Sequence, residues 1–126
     1  MTNLSIEATN YSPHISMDYS KAEISIVGKS YPENTFEFYK PVMDWIEEYF
    51  ISPKPQTTIN MEIVYFNSSS SKLFFDFFDI LEENRDKSDI IINWIYDEDN
   101  DTALEAGEEF MEDFEKLNFN LIEKLD

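Results

Sequence analysis

The sequence predicts an α/β fold in which a mixed β-sheet is flanked by about three helices. Residues 57–66 and 89–96 are rich in β-branched and aromatic residues, which favour strands. Between and after these strands, apolar residues recur every three or four positions, the spacing of an amphipathic helix. The resulting order of strands, helix, strand, helix, strand and helix is typical of an α/β sandwich with a mixed sheet.

The first half of the chain contains short predicted strands followed by one helix. Apolar and polar residues alternate over 4–8, 15–17 and 22–26, which predicts strands, and Gly28 predicts a turn. In the next segment, one helical stripe is formed by Val42, Trp45, Ile46, Tyr49 and Phe50. Pro41 either starts this helix or kinks a longer one that begins near Thr35.

The second half repeats a strand and a helix twice. The strand at 57–66 is followed by a serine run and an apolar helix whose face carries Phe74, Phe77, Phe78 and Leu81. The nearly continuous apolar run 90–95 suits a central strand that is covered on both faces. An acidic helix is expected over about 101–115, and residues 119–122 are expected to add an edge strand.

Length and charge limit the class of protein. The 126 residues contain no linker or repeat, so one domain over 1–126 is expected. A net charge of -18 opposes binding to nucleic acid or to an anionic membrane and suits docking to a basic patch of another protein. The chain has no cysteine and its first ten residues do not resemble a signal peptide, so a cytoplasmic location is expected.

The segment Asn67-Ser68-Ser69-Ser70-Ser71-Lys72 lies where a predicted strand passes into a predicted helix. Free backbone N–H groups and the positive end of the helix dipole stabilise a phosphate at such a junction. Lys72, about one turn after Ser68, is within reach of that phosphate, and Asn67 is a second residue expected to contact it. Serine is also a favoured N-cap residue, so the position by itself leaves both interpretations open.

Several segments together resemble the SiaC family of regulatory phosphoproteins, and the order of elements resembles the STAS domain of anti-sigma-factor antagonists. The similar segments cover nearly the whole chain in order: Gly28-Lys29-Ser30-Tyr31-Pro32-Glu33-Asn34, Phe38-Tyr39-Lys40-Pro41-Val42 with Trp45, Tyr65 to Lys72, and Trp94-Ile95-Tyr96-Asp97 followed by Gly107-Glu108-Glu109-Phe110.

The resemblance implies a switch protein that is not an enzyme and needs no cofactor. Its acceptor hydroxyl corresponds to Ser68, with Ser69, Ser70 and Ser71 as competing acceptors. A histidine-kinase-like ATPase would act as the Ser/Thr kinase, a PP2C-type phosphatase would remove the phosphate, and the unphosphorylated form would bind a diguanylate cyclase and promote cyclic-di-GMP synthesis. The residues expected to contact partners are Tyr31, Glu33, Asn34, Tyr39 and Phe75.

The acidic segment offers an alternative function. Five carboxylates have the spacing of an EF-hand loop: Asp97, Asp99, Asp101, Glu105 and Glu108. Thr102 replaces the glycine that such a loop needs, and carboxylates near a helix N-terminus are favourable without a metal. We therefore predict no metal site, and the alternative is a calcium-binding protein or small metal-dependent enzyme that uses this cluster.

Overall fold

The computed structural model describes residues 1–125 and confirms the α/β class with a mixed sheet and three helices. The strands are β1 (Leu4–Ile6), β2 (His14–Asp18), β3 (Glu23–Ser30), β4 (Gln56–Phe66), β5 (Asp89–Asp97) and β6 (Asn118–Lys124). The helices are α1 (Thr35–Tyr49), α2 (Ser68–Glu83) and α3 (Asp101–Asp113). Within the described residues, none of these helices is both long and apolar enough to cross a membrane.

The six strands lie in the sheet in the same order as in the sequence. Strands β1 to β3 are antiparallel neighbours, whereas β3 to β6 are parallel and each parallel connection contains one helix. Because such crossovers are right-handed and all proceed in one direction across the sheet, the three helices lie on the same face. We call the opposite face the open face.

The position of the helices corrects the prediction for β5. Its residues alternate: Ile90, Ile92 and Trp94 are buried beneath the helices, whereas Ile91 and Ile95 are half-buried on the open face. The apolar run therefore belongs to a strand covered on one face, and the prediction of a strand covered on both faces was wrong.

Helix α1 begins at Thr35, with Asn34 as its N-cap, and it contains Pro41 in its interior. Of the two alternatives for Pro41, the longer helix that begins near Thr35 is the correct one. The predicted stripe faces the core, because Val42, Trp45, Ile46, Tyr49 and Phe50 are all buried.

Gly28 does not form a turn, contrary to the prediction. It lies within β3 with φ of 131°, where the register to β4 shifts between Gly28 and Lys29. A side chain there would be strained by the backbone and would approach the Cα of Pro13 to 3.3 Å. The irregularity lets β3 continue to Ser30, which thereby reaches the N-terminus of α2.

Candidate phosphorylation and docking site

The serine run forms the first turn of α2. The strand β4 ends at Phe66 and Asn67 caps the helix, its Oδ1 accepting a hydrogen bond from the Ser70 N–H at 2.9 Å. The Ser71 N–H donates to the Asn67 carbonyl at 3.0 Å, which is the first hydrogen bond within the helix. The side chain of Asn67 therefore serves as the cap, and the first two N–H groups of the helix, those of Ser68 and Ser69, have no acceptor among residues 1–125.

The four serines have different environments because the helix turns by about 100° per residue. Ser68 and Ser69 are exposed, Ser71 is half-buried and Ser70 is 0% exposed. Within residues 1–125, the hydroxyls of Ser68 and Ser69 have no hydrogen-bond partner. These two hydroxyls are thus the ones that a kinase can reach without opening the structure.

The Ser70 hydroxyl is held in a buried network. It donates to the Ser30 carbonyl at 2.9 Å and accepts from the Ser30 hydroxyl at 2.8 Å. The Ser30 hydroxyl is also paired with the Tyr39 hydroxyl, and burial raises the pKa of Tyr39, an effect that the bond to Ser30 partly offsets. The network joins α2 to β3 and α1, and it occupies the Ser70 hydroxyl completely.

Two clefts flank the first turn of α2. Ser68 lines a cleft of about 570 Å³ between α2 and α3, together with Phe75, Glu109 and Asp113. We call this the α2–α3 cleft; it is an open, partly apolar groove with acidic residues along its length.

Ser69 lines the second cleft, of about 690 Å³, between α1 and α2. This α1–α2 cleft also contains Glu33, Asn34 and Phe36. Ser68 and Ser69 therefore face different grooves, and a phosphate on one changes the charge of a different surface from a phosphate on the other.

Lys72 lies between the two clefts and lines both. Its ammonium is 3.8 Å from the Asp76 carboxylate, and its side chain is 77% exposed, so this ion pair is weak. The Lys72 side chain can consequently turn to a phosphate on either exposed serine.

The residues that the sequence predicted as partner contacts do not all lie together. Phe75 lies in the α2–α3 cleft, 43% exposed, with its ring 4.8 Å from that of Phe114. Glu33 and Asn34 line the α1–α2 cleft, although Asn34 is also the N-cap of α1.

Tyr31 belongs to a third surface. It is 37% exposed and packs edge-on against Tyr65, with the ring centroids 5.4 Å apart.

The prediction that Tyr39 contacts a partner is corrected by the structure. Tyr39 is 2% exposed and its hydroxyl pairs with that of Ser30, so it cannot contact a partner directly. Tyr39, which was predicted to be an exposed partner contact, is therefore a residue of the hydrophobic core.

Sequence reasoning missed two exposed aromatic residues near the site. Phe36 is 69% exposed in the α1–α2 cleft, and Tyr65 is 53% exposed beside Tyr31. Phe36 does not belong to the apolar stripe of α1, so its exposure could have been predicted from the helical spacing of the sequence. Tyr65 could not be found in this way, because its exposure results from the register shift between β3 and β4.

The acidic segment does not form a metal site in the described residues. The Asp97 carboxylate accepts a hydrogen bond from the Asp99 N–H at 3.0 Å, and Asn100 caps α3. Asp101 opens that helix, and Glu105 and Glu108 are exposed on it. Across residues 1–125, no three acidic or histidine side chains are grouped so that they could hold a metal ion.

Comparisons with known proteins agree with this fold. A model of the SiaC family, described as regulatory phosphoproteins, matches residues 6–124. A protein of Pseudomonas aeruginosa (strain UCBPP-PA14), described as uncharacterized, is 34% identical over 114 residues, which is 90% of each chain.

Solved structures of SiaC from Pseudomonas aeruginosa are similar over nearly the whole chain. The apo form is 29% identical with a TM-score of 0.83, covering 98% of this chain and 99% of that one. A second structure shows the diguanylate cyclase SiaD in complex with its activator SiaC. The SiaC of that complex is 31% identical with a TM-score of 0.85, covering 98% of this chain and 99% of that one.

The α/β fold and the match over residues 6–124 define the class as a regulatory phosphoprotein. Within that class, the chain belongs to the SiaC family.

Proposed function

We propose that this chain is a partner-switching protein whose unphosphorylated form binds and activates a diguanylate cyclase. A Ser/Thr kinase of the histidine-kinase-like ATPase type adds a phosphate to Ser68, and a PP2C-type phosphatase removes it. The chain acts as a single domain in the cytoplasm and has no catalytic activity of its own. The complex between a SiaC and the cyclase SiaD supports the choice of target.

One observation carries the choice of an exposed acceptor over Ser70: the Ser68 hydroxyl is exposed at the first residue of α2, whereas the Ser70 hydroxyl is buried and makes two hydrogen bonds. To receive a phosphate, Ser70 would have to leave its contacts with Ser30. Ser69 is equally exposed but lines the other cleft, and Ser68 is the position that matches the family's acceptor. The structure thus supports an exposed acceptor, and the family resemblance supports Ser68 over Ser69.

The surroundings of Ser68 explain how a phosphate acts. The free N–H groups of the first turn and the nearby Lys72 can hold the phosphate without backbone movement. The phosphate also adds about -1.5 to -2 charges to a cleft that already contains Asp76, Glu109 and Asp113. A partner that covers Phe75 in this cleft would have to desolvate that charge, which is costly, so phosphorylation releases the partner.

The experiment uses the kinase and the diguanylate cyclase from the same host. The chain is incubated with the kinase and ATP, and the modified residue is located by fragment mass spectrometry. We expect one phosphate on Ser68, none on Ser68→Ala, and undiminished labelling of the matched variant Ser69→Ala. Phosphate found only on Ser69, Ser70 or Ser71 would refute the assignment.

Binding to the cyclase is measured in parallel by titration calorimetry. The unmodified chain and Ser68→Ala are expected to bind and to raise cyclic-di-GMP synthesis, and the phosphorylated chain is expected to bind at least about tenfold more weakly, which corresponds to about 1.4 kcal/mol. Equal binding of the modified and unmodified chains would contradict the proposed switch even if Ser68 were the acceptor.

A further inference from the structure

The serine run of α2 contains one residue, Ser70, to which the proposed switch gives no role. Ser70 is 0% exposed, and its hydroxyl donates a hydrogen bond to the Ser30 carbonyl at 2.9 Å while it accepts one from the Ser30 hydroxyl at 2.8 Å. The same carbonyl accepts a hydrogen bond from the Asn67 N–H at 3.1 Å. Ser30, the last residue of β3, therefore holds both the cap of α2 and the third residue of its first turn.

The hydroxyl protons of this network all point in one direction. Because the Ser30 hydroxyl gives its single proton to Ser70, the Tyr39 hydroxyl is the donor in its pair with Ser30. The chain of donors runs from Tyr39 to Ser30 to Ser70 and ends at the Ser30 carbonyl. Ser30 and Ser70 are both 0% exposed, so Ser70 cannot turn outward without breaking two hydrogen bonds inside the protein.

We propose that Ser70 is a positioning residue: its attachment to Ser30 decides which serines of the run present a hydroxyl to the kinase. This inference rests on the proposed phosphorylation of the run. Successive residues of a helix are rotated by about 100°, so fixing Ser70 toward the sheet directs Ser68, about 160° away around the helix axis, outward. Ser69 and Ser71 are directed to the two sides, and the second of them is half-buried. The attachment thus favours the first two serines as acceptors and excludes the last two.

The first turn of α2 depends on Ser70 because little else fixes it. Among residues 68–73 Ser70 is the only buried one, and the next buried residue of the helix is Phe74. Serine hydroxyls compete for backbone hydrogen bonds, so four serines in succession form a weak first turn. Without the bonds between Ser70 and Ser30, that turn is held by the Asn67 cap alone and opens more often. An open turn exposes the hydroxyl of Ser71 as well as that of Ser68.

Two variants remove the attachment in different ways, and the kinase with ATP reports the result. Ser70→Ala deletes the buried hydroxyl, whereas Ser30→Ala deletes its partner and keeps all four serines. Each chain is labelled, and fragment mass spectrometry gives the share of phosphate on each serine. In both variants we expect the share on Ser71 to rise at least about fivefold over the parent chain, the factor that corresponds to about 1 kcal/mol lost from the first turn. In Ser30→Ala, phosphate should also appear on Ser70.

Ser88→Ala is the matched control, because it removes the same two kinds of hydrogen bond at the other end of β4. Ser88 is 6% exposed, and its hydroxyl donates to the Lys54 carbonyl at 2.7 Å and pairs with the Thr57 hydroxyl at 2.7 Å. Thr57 is about 30 Å from the serine run along the strand. The phosphate distribution of this variant should match that of the parent. An equal rise on Ser71 in the control, or an unchanged distribution in Ser70→Ala and Ser30→Ala, would overturn the proposal.

Amide hydrogen exchange followed by NMR tests the attachment without a kinase. The Ser71 N–H donates to the Asn67 carbonyl at 3.0 Å, so it exchanges when the first turn opens. Its exchange should be at least about fivefold faster in Ser70→Ala than in the parent chain, and unchanged in Ser88→Ala, where the turn is intact. Equal exchange in Ser70→Ala and the parent would overturn the attachment whatever the kinase does. A parent chain that takes no phosphate on Ser68 would instead contradict the proposed function, and exchange would still decide whether Ser70 holds the turn.

Discussion

The Ser70→Ala substitution removes one buried oxygen atom from the network that joins α2 to β3 and α1. The Ser70 hydroxyl makes two hydrogen bonds, one to the Ser30 carbonyl at 2.9 Å and one from the Ser30 hydroxyl at 2.8 Å. Without it, the Ser30 carbonyl keeps only the hydrogen bond that it accepts from the Asn67 N–H at 3.1 Å. The loss of two buried hydrogen bonds, at about 0.5–1.5 kcal/mol each, costs about 1–3 kcal/mol.

Two smaller effects modify this cost. Alanine is a better helix former than serine by up to about 0.5 kcal/mol, which offsets part of the loss. The Ser30 hydroxyl keeps its bond with Tyr39, so it is not left without a partner. We therefore expect Ser70→Ala to lower the free energy of unfolding by about 2 kcal/mol, a factor of about 30 in the unfolding equilibrium constant.

Ser69→Ala provides the matched control, because Ser69 is one residue away, exposed and without a hydrogen-bonded hydroxyl in the described structure. Its free energy of unfolding should change by less than about 0.5 kcal/mol. Urea titrations followed by circular dichroism measure both variants, and thermal melts should separate them by about 6–10 °C, at roughly 3–5 °C per kcal/mol for a chain of this size. Equal stability of the two variants would refute the argument that Ser70 is a structural residue.

Two further predictions concern the core. Gly107→Ala should lower the free energy of unfolding by about 1–3 kcal/mol and alter Trp94 fluorescence, because a Cβ there would lie 2.5 Å from a ring carbon of Trp94 and 2.8 Å from Leu121; an unchanged urea midpoint would contradict the close packing. Burial raises the pKa of Tyr39, so the stability that its neutral hydroxyl contributes is fully present below the unfolded pKa of about 10 and is lost as the pH rises above it. Urea midpoints should therefore fall less steeply above about pH 10 in Tyr39→Phe than in the parent chain, and parallel pH profiles would show that Tyr39 is not the group responsible.

The sequence alone determined the type and order of the elements. The spacing of apolar residues favours helices at α1 and α2, and the β-branched residues favour strands at β4 and β5. These preferences are local, so they predict the type of each element without knowledge of how the elements pack. The observed bounds of β4 and β5 differ from the predicted ones by one residue at one end. Membership of the family could also be predicted from the sequence, because the resemblance depends on the order of short segments along the chain and not on distances within the folded structure.

The tertiary structure decided which face of the sheet the helices cover and which side chains are accessible. An apolar run such as 90–95 is compatible with one or two covered faces, and the direction of the crossovers, which no local pattern encodes, selects one. Tyr39 was expected at a partner surface, but its ring packs against Phe74 of α2 and its hydroxyl pairs with Ser30 of β3, two contacts that only the folded chain brings together.

The four serines show most clearly what the sequence predicts and what only the tertiary structure determines. The sequence shows four serines in a row, and Ser68 was favoured because it matches the acceptor position that the family resemblance implies and because it is the first serine of the junction. The helical turn and the extension of β3 to Ser30 bury Ser70 and leave Ser68 at the surface, since a hydroxyl's access to solvent depends on residues about 40 positions away. Sequence therefore located the junction, and packing across the sheet determined which hydroxyl is free, because burial and hydrogen bonding are properties of the folded chain as a whole.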